Sequence, residues 1–269
     1  MLTILNYCGR HRSYDCSTRI MKAMNQESKI IDVYKRDLAQ AQKAGELRKV
    51  AVLYKKIAAS CAEEQDWDKA LEYYVRSIDV DEKLHNQEGI SKAYACIGNL
   101  FYAQHEWDKA LMFYSKELEV EEDRRNKKGI ARAYNNIGSV YAKQGKIDKA
   151  LESFNRSLDL KEEIGDIKGK ISTYDNMALV FDMLNEWKKA EEFYDLSYDI
   201  KSRLNDTVGM ADNLWRRAKL YHEQKKYQET LDLMAQTIEL LDDANYPRIE
   251  QYRAAFNDLL RVVYTEKAS

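Results

Sequence analysis

Apolar and polar positions alternate along the chain with a helical period. In the stretch ARAYNNIGSVYAKQGKIDKAL, residues 131–151, one apolar face begins at Tyr134 and Ile137 and ends at Tyr141. This spacing of i, i+3, i+7 is typical of an amphipathic helix. After the polar break KQGKID, a second helical face begins at Ile147. The pattern therefore predicts two amphipathic helices joined by a short turn.

The predicted helix pair recurs every 40 residues. The motifs DWDKAL, EWDKAL, KIDKAL and EWKKAE begin at residues 66, 106, 146 and 186, and KYQETL at residue 226 is a weaker fifth copy. Four glycines keep the same step, and we interpret them as turn residues: Gly89, Gly129, Gly169 and Gly209. A fixed period of this length is typical of a solenoid, in which each pair buries its apolar face against its neighbours.

The residues inside each unit resemble a known repeat. The pattern Tyr-x2-Ile-Gly-x2-Tyr followed by Ala-x3-Phe is similar to the signature of the tetratricopeptide repeat, whose usual period is about 34 residues. The longer period resembles the subfamily of Pins-type adaptors, Rap-type regulators and, more loosely, kinesin light chains. The resemblance implies an all-α fold, a right-handed superhelical solenoid of antiparallel helix pairs.

The repeat also predicts how the chain is divided. We expect an N-terminal arm over 1–26, a helix of an incomplete repeat over 27–47, and five 40-residue repeats over 48–244. The segment 245–269 contains Pro247, the one proline, and then a helical apolar pattern. We interpret this segment as a C-terminal capping helix, because proline suits the start of a helix and the last repeat has an uncovered face.

Composition and charge narrow the classes of function. A net charge of −2 does not indicate the basic surface that is typical of nucleic-acid-binding proteins. No apolar run is long enough to span a bilayer. The start MLTILNYCGRHR lacks the features of a signal peptide. We therefore expect a cytoplasmic protein with neither a nucleic-acid partner nor a membrane insertion. The acidic runs DVDEK and EVEEDRR on the second helices are interpreted as solvated surface.

No group of residues has the spacing of a catalytic or metal site. The histidines are scattered over four elements: His11, His85, His105 and His222. Cys8, His11 and Cys16 offer three metal donors without an obvious fourth. The stretch GDIKGKIS at 165–172 is one residue short of a phosphate-binding loop and has Ile171 where Ser or Thr is needed. We expect a protein that is not an enzyme and has no cofactor and no metal.

The resemblance implies that first helices line a concave groove. Residues that are not used for stacking point into it, and the candidate set is Lys92, Asn99, Arg132, Asn135, Asn136, Asp175, Asn176, Trp215, Arg216 and Lys219. Asparagine amides can grip a peptide backbone, and arginine can bind a carboxylate through two hydrogen bonds. In related repeats asparagines at these places contact peptides. Replacing Asn135 and Asn136 with alanine is predicted to leave melting nearly unchanged.

These features favour a non-catalytic adaptor that binds a peptide or helical segment of another protein. One alternative is a peptide-responsive regulatory sensor, as the Rap-type resemblance implies, although that family has a longer N-terminal bundle than residues 1–46 provide. A second alternative is a self-associating scaffold that uses an exposed end of the solenoid.

One residue departs from the stacking pattern. Arg217 occupies the position that Ile97, Ile137 and Met177 hold in other units. A charge there is costly unless it is paired. We expect either an ion pair with an acidic residue of the C-terminal segment, Glu250 or Asp258, or a binding site nearby.

Overall fold

The computed structural model describes residues 30–266, so the predicted arm over 1–26 lies outside the described residues. Over that range the chain forms twelve α-helices and no strand, which confirms the all-helical class. They are α1 (30–43), α2 (Leu47–Glu63), α3 (Trp67–Lys83), α4 (Gln87–Ala103), α5 (Trp107–Asp123), α6 (Lys127–Lys143), α7 (Ile147–Glu163), α8 (Ile167–Met183), α9 (Trp187–Arg203), α10 (Thr207–Glu223), α11 (Tyr227–Asp243) and α12 (Ile249–Glu266).

The described helices group into two compact units, which are divided between Arg125 and Asn126. In the first unit, hairpin 1 (α2 and α3) packs through α3 on hairpin 2 (α4 and α5). A hydrogen bond from Gln42 Nε2 to the Tyr54 hydroxyl (3.0 Å) joins α1 to α2. In the second unit, hairpin 3 (α6 and α7), hairpin 4 (α8 and α9) and hairpin 5 (α10 and α11) stack in order, and α12 packs on α11. The predicted helix pairs and capping helix are therefore confirmed.

A tight linker sets the length of every hairpin helix. Each of these helices has 17 residues, and the second residue of each linker has a positive φ. After α2, the N–H of Gln65 donates to the carbonyl of Ala62 (3.0 Å) and the N–H of Asp66 donates to that of Cys61 (2.9 Å). This pair of bonds is the Schellman motif, which ends a helix by turning one residue left-handed.

The left-handed residue is glycine in some linkers and a larger residue in others. Gly145 has φ +73° with open space around it, whereas Lys225 adopts φ 59° with a side chain. A Cβ in this region costs about 1–2 kcal/mol. We expect Gly145→Ala to lower the free energy of unfolding by about 1 kcal/mol, and Lys225→Gly to raise it by roughly 0.5 kcal/mol after the added entropy of the unfolded chain.

Chemical denaturation measures both effects, with Lys225→Ala as the control. That variant keeps the Cβ and should leave stability unchanged, because Lys225 is exposed. Equal stability of Gly145→Ala and the parent protein would contradict this account of the linkers.

The recurring glycines lie inside the first turn of a helix, so their interpretation as turn residues is wrong. Gly89, Gly169 and Gly209 are the third residues of α4, α8 and α10. Their N–H groups donate to the side chains of the capping residues Asn86 (3.2 Å), Asp166 (2.9 Å) and Asp206 (2.9 Å). A Cβ at Gly169 or Gly209 would collide with the capping side chain, and a Cβ at Gly89 would collide with Asp81 and with the cap. Glycine is therefore required for the close approach of the cap.

Small residues bring the two helices of each hairpin together. A Cβ on Gly98 would lie 2.5 Å from the ring of Tyr114, and one on Gly138 would lie 2.7 Å from the ring of Phe154. In the second unit Phe154 is fully buried in the apolar core. The rings of Phe181 and Phe193 stack there at a centroid distance of 5.4 Å. This packing holds the first helices in place.

Candidate functional site

The first helices of the second unit each present a mainly polar face. We call it the groove face and define it by the sixth, tenth and thirteenth residues of each first helix. Its members are Arg132, Asn136 and Ser139 of α6, Ser172, Asn176 and Leu179 of α8, and Asp212, Arg216 and Lys219 of α10. All are exposed or half-buried. Helix α6 contacts α8 directly, and Asn176 Nδ2 donates to Ser139 Oγ (3.0 Å), so the two helices lie side by side on this face.

Two of the predicted groove residues belong to the first unit. Lys92 of α4 lines a depression of about 490 Å³ between α2 and α4, together with Lys55 and Lys56. Its ammonium pairs with Glu88 one turn earlier. Asn99 is exposed, and its Oδ1 accepts a hydrogen bond from the Tyr114 hydroxyl (2.6 Å). Burial raises the pKa of Tyr114, so this hydroxyl remains a donor at neutral pH.

Asn135 lies beneath the groove face. It is 8% exposed, and its Oδ1 accepts hydrogen bonds from Thr173 Oγ1 (2.9 Å) and Asn176 Nδ2 (3.3 Å). Removing this acceptor leaves buried donors without a partner, which costs about 1–3 kcal/mol. The predicted neutrality of replacing Asn135 and Asn136 together is therefore contradicted by the buried bonds of Asn135. Asn136 is half-buried on the groove face.

Three of the predicted residues in the second unit have partners within that unit, and Lys219 is exposed. Asp175 of α8 accepts hydrogen bonds from α9, as described below. Trp215 of α10 packs edge-on against Tyr252 of α12, with a distance of 4.8 Å between the ring centroids. Arg216 Nε donates to Asp212 (2.8 Å) one turn earlier. Lys219 is exposed to solvent.

A set of buried charges was missed by the sequence pattern. In hairpin 1, Lys55 at the ninth position of the first helix pairs with Asp81 at the fifteenth position of the second helix, at 2.5 Å. In hairpin 4 the signs are exchanged, and Asp175 pairs with Lys201 at 2.9 Å. Only 1% of the Asp81 side chain and 4% of the Lys201 side chain are exposed.

The run DVDEK contains Asp81 and the run EVEEDRR contains Glu121, which is also buried. Their interpretation as uniformly solvated surface is therefore wrong. An alignment of the repeats reveals these charges, because a charged residue recurs at the fifteenth position of four second helices: Asp81, Glu121, Lys161 and Lys201.

Hairpin 3 holds a buried lysine opposite a neutral residue. Lys161 is 5% exposed and donates from Nζ to Thr173 Oγ1 (2.6 Å). The ninth position of its first helix is Asn135, where hairpin 4 has Asp175. Burial lowers the pKa of Lys161 from 10.5 to about 8, while Asp166 acts in the opposite direction.

The charge at Arg217 is paired with the preceding hairpin. Its guanidinium contacts Glu191 (3.2 Å) and Asp195 (2.9 Å) of α9. The expectation of Glu250 or Asp258 as its partner is therefore wrong. The signal was present in the motif EWKKAE, because Glu191 replaces the leucine that ends the DKAL motifs.

Arg217 and Glu191, which both depart from the repeat pattern, thus compensate each other's charge where hairpins 4 and 5 are in contact. We expect Arg217→Ile to lower the free energy of unfolding by about 1–3 kcal/mol, because Glu191 then faces an apolar residue. The double variant with Glu191→Leu restores the apolar pair of other hairpins and should be at least as stable as the parent protein. A double-mutant cycle by denaturation tests the coupling, and additive effects of the two changes would contradict it.

The described residues contain neither a cluster of metal ligands nor a membrane-spanning helix. Between residues 30 and 266, no group of three or more His, Cys, Asp or Glu side chains is arranged to hold a metal ion. Cys8, His11 and Cys16 lie outside the described residues. Within the same range, every helix is too short or too polar to cross a bilayer.

Comparison with known proteins places these helices in a family. The family model described as Tetratricopeptide repeat matches residues 49–123 and 129–203. A search of curated protein sequences finds no significant match.

Solved structures share the fold at low sequence identity. BtubC (BKLC) from P. vanneervenii has a TM-score of 0.67 at 16% identity, covering 86% of this chain and 92% of its own. A Rap protein complexed with Competence and Sporulation Factor has a TM-score of 0.62 at 17% identity, covering 92% and 74%. Putative kinesin light chain TPR-like repeats from Podosopora anserina have a TM-score of 0.57 at 10% identity, covering 71% and 94%. At this identity, the similarity concerns the fold.

Proposed function

The chain belongs to the tetratricopeptide repeat family, and on this premise we propose that it is a non-catalytic adaptor that binds a peptide or helical segment of another protein on the groove face. The observation that carries the proposal is the mixture of side chains on neighbouring first helices. Asn136 brings a half-buried amide and Asn176 brings a half-buried amide oxygen, because Asn176 Nδ2 already donates to Asn135 and Ser139. Leu179 lies beside them, and Met183 at the end of α8 is 57% exposed. Amides can bind a peptide backbone, and the apolar side chains can cover its side chains.

Two features of the groove face sharpen this proposal. Asn136 replaces Asn135 as the amide available to a ligand, because Asn135 already has internal partners. Arg132 and Lys219 are exposed and add positive charge on α6 and α10. The proposal includes a cytoplasmic location and no partner among nucleic acids or membranes.

A second candidate is a regulatory sensor that responds to a bound peptide. The structural neighbour that favours it is the Rap protein complexed with Competence and Sporulation Factor. Both candidates require a ligand on the groove face, and a sensor would in addition become more compact when the ligand binds. Small-angle scattering with and without the selected peptide described next separates them.

Selection of peptides from a random display library tests the groove face directly. We expect the protein to select a family of related peptides, and Asn136→Arg to weaken their binding at least about tenfold by filling the face. The fold should tolerate this change, since Arg216 occupies the same tenth position in α10.

The matched control is Asn155→Arg, the same change at an exposed position of α7. It should leave peptide binding as in the parent protein. Equal binding by the parent, Asn136→Arg and Asn155→Arg would contradict the groove face as the site.

A further inference from the structure

Helix α1 has the register of a second helix. It lies 40 residues before α3, and the two helices end at residues 43 and 83. The Lys56 ammonium lies 5.3 Å from the centroid of the Tyr34 ring, so α1 packs on α2 as α3 packs on α4. By position, α1 is therefore the second half of a further hairpin.

The face of α1 that would meet its own first helix is apolar and exposed. In the described hairpins the seventh residue of a second helix packs on the first helix, and the ring centroids of Phe113 and Tyr94 are 6.2 Å apart. The fourth residue is fully buried in four of them: Ala70, Ala110, Ala150 and Ala190. The matching residues of α1 are Ile30 and Val33, which are 41% and 44% exposed. A terminal repeat with an apolar outer face is poorly capped.

The sequence before α1 follows the register of a first helix. Residues 7–23 lie 40 residues before α2, with Asn6 at the place of the capping residue, Gly9 at the third position and Tyr14 at the eighth. In described first helices the same places hold the caps Asn86, Asp166 and Asp206, the glycines Gly89, Gly169 and Gly209, and the tyrosines Tyr54, Tyr94, Tyr134 and Tyr174.

Two further positions of this segment agree with the hairpin geometry. Thr18 is at the twelfth position, where Gly98 and Gly138 admit the ring of the second helix. Asn25 is at the place of the left-handed linker residue, which Asn185 occupies after α8 with φ 58°. Asparagine is one of the few residues that adopt this conformation readily.

We propose that residues 7–23 form a first helix that docks on α1 and covers Ile30 and Val33, so that the solenoid begins with a complete additional hairpin rather than with an arm. Tyr14 and Val33 then meet at the positions where Tyr94 and Phe113 meet in hairpin 2. In this register the linker is residues 24–26, as short as the three residues between α2 and α3. So short a linker gives the segment a high effective concentration at α1, which favours it over any separate molecule.

The additional hairpin enlarges the surface of the first unit that a partner can reach. Arg12, Cys16 and Arg19 take the sixth, tenth and thirteenth positions of its first helix, which are the positions that define the groove face in the second unit. The hairpin is independent of the proposed function, because the groove face belongs to other helices.

Hydrogen exchange of the full chain, measured by mass spectrometry, tests this docking. We expect the amides of residues 10–23 to exchange at least about tenfold more slowly in the parent protein than in Val33→Lys, which places a charge on the docking face. The matched control is Val75→Lys. Val75 is also 44% exposed, but it lies at the ninth position of α3, where other second helices have polar residues such as Asn155. This control should exchange as the parent protein does.

A second variant tests the register without a change in α1. Gly9→Val adds a Cβ at the third position, where it would collide with the cap as at Gly169. We expect it to speed exchange over residues 10–23 about fivefold and to leave the amides of α2 as protected as in the parent protein.

Three outcomes would overturn the proposal. The first is exchange of residues 10–23 in the parent protein at the rate of an unstructured chain. The second is equal protection of this segment in the parent protein, Val33→Lys and Gly9→Val. The third is protection that disappears on dilution together with a dimer in native mass spectrometry, which would assign the face of α1 to a second copy of the chain.

Discussion

Replacing Asp175 with alanine should destabilise the protein by about 3–5 kcal/mol, the usual cost of breaking a buried ion pair from one side. The change leaves the ammonium of Lys201 buried without its carboxylate, since 4% of that side chain is exposed. It also removes the acceptor of Ser197 Oγ. We expect the midpoint of urea denaturation to fall accordingly.

The double variant Asp175→Ala with Lys201→Met is the control for this prediction. Removing both charges exchanges an ion pair for apolar contact, so most of the lost stability should return. A loss below about 1 kcal/mol for the single variant would mean that the pair is exposed in solution, as surface pairs contribute little.

Replacing Lys161 with methionine should have the opposite effect and raise the free energy of unfolding of the free protein at pH 7. Lowering the pKa of Lys161 from 10.5 to about 8 corresponds to a penalty of roughly 3 kcal/mol, since each tenfold change in the proton affinity is worth about 1.4 kcal/mol. Methionine keeps the length of the side chain but loses the hydrogen bond to Thr173 Oγ1. We therefore expect a net gain of about 1–3 kcal/mol.

The pH dependence of that gain identifies its cause. Below pH 8 the lysine is protonated in both the folded and unfolded states, so the full penalty is present. Between pH 8 and 10.5 the folded parent protein releases the proton while the unfolded chain still holds it, so the parent protein gains stability relative to the variant. The two free energies of unfolding should converge near pH 10.5. A difference that stays constant over this range would contradict burial of the charge as the cause.

Much of the fold could be predicted because its determinants are local and repeated. The apolar spacing around Tyr134 specifies one helix, and the 40-residue period repeats that information five times. The linkers were harder to recognise. Their left-handed residue is glycine at Gly145 but histidine at His105 and arginine at Arg125. No single residue type therefore marks the geometry that recurs in every linker. The sequence pattern predicts a turn at Gly89, because it does not show that a Cβ there would collide with Asp81 and the capping residue Asn86.

The candidate site was predicted less completely, because its charges depend on contacts between helices. Asn135 and Asn136 are neighbours in sequence, yet one is buried and the other reaches the groove face. Only the packing of α8 against α6 decides which is which. The exchange of signs between Lys55–Asp81 and Asp175–Lys201 likewise requires knowing that the ninth and fifteenth positions meet within a hairpin.

Photo-crosslinking tests most directly whether a selected peptide contacts hairpin 3 on the groove face. A photo-crosslinking residue is introduced at position 136 on the groove face or at position 155 on α7, and each protein is irradiated with a peptide from the display selection. We predict a crosslinked product from the protein labelled in place of Asn136, and none from that labelled in place of Asn155. Crosslinking at position 155 but not at position 136 would contradict binding on the groove face.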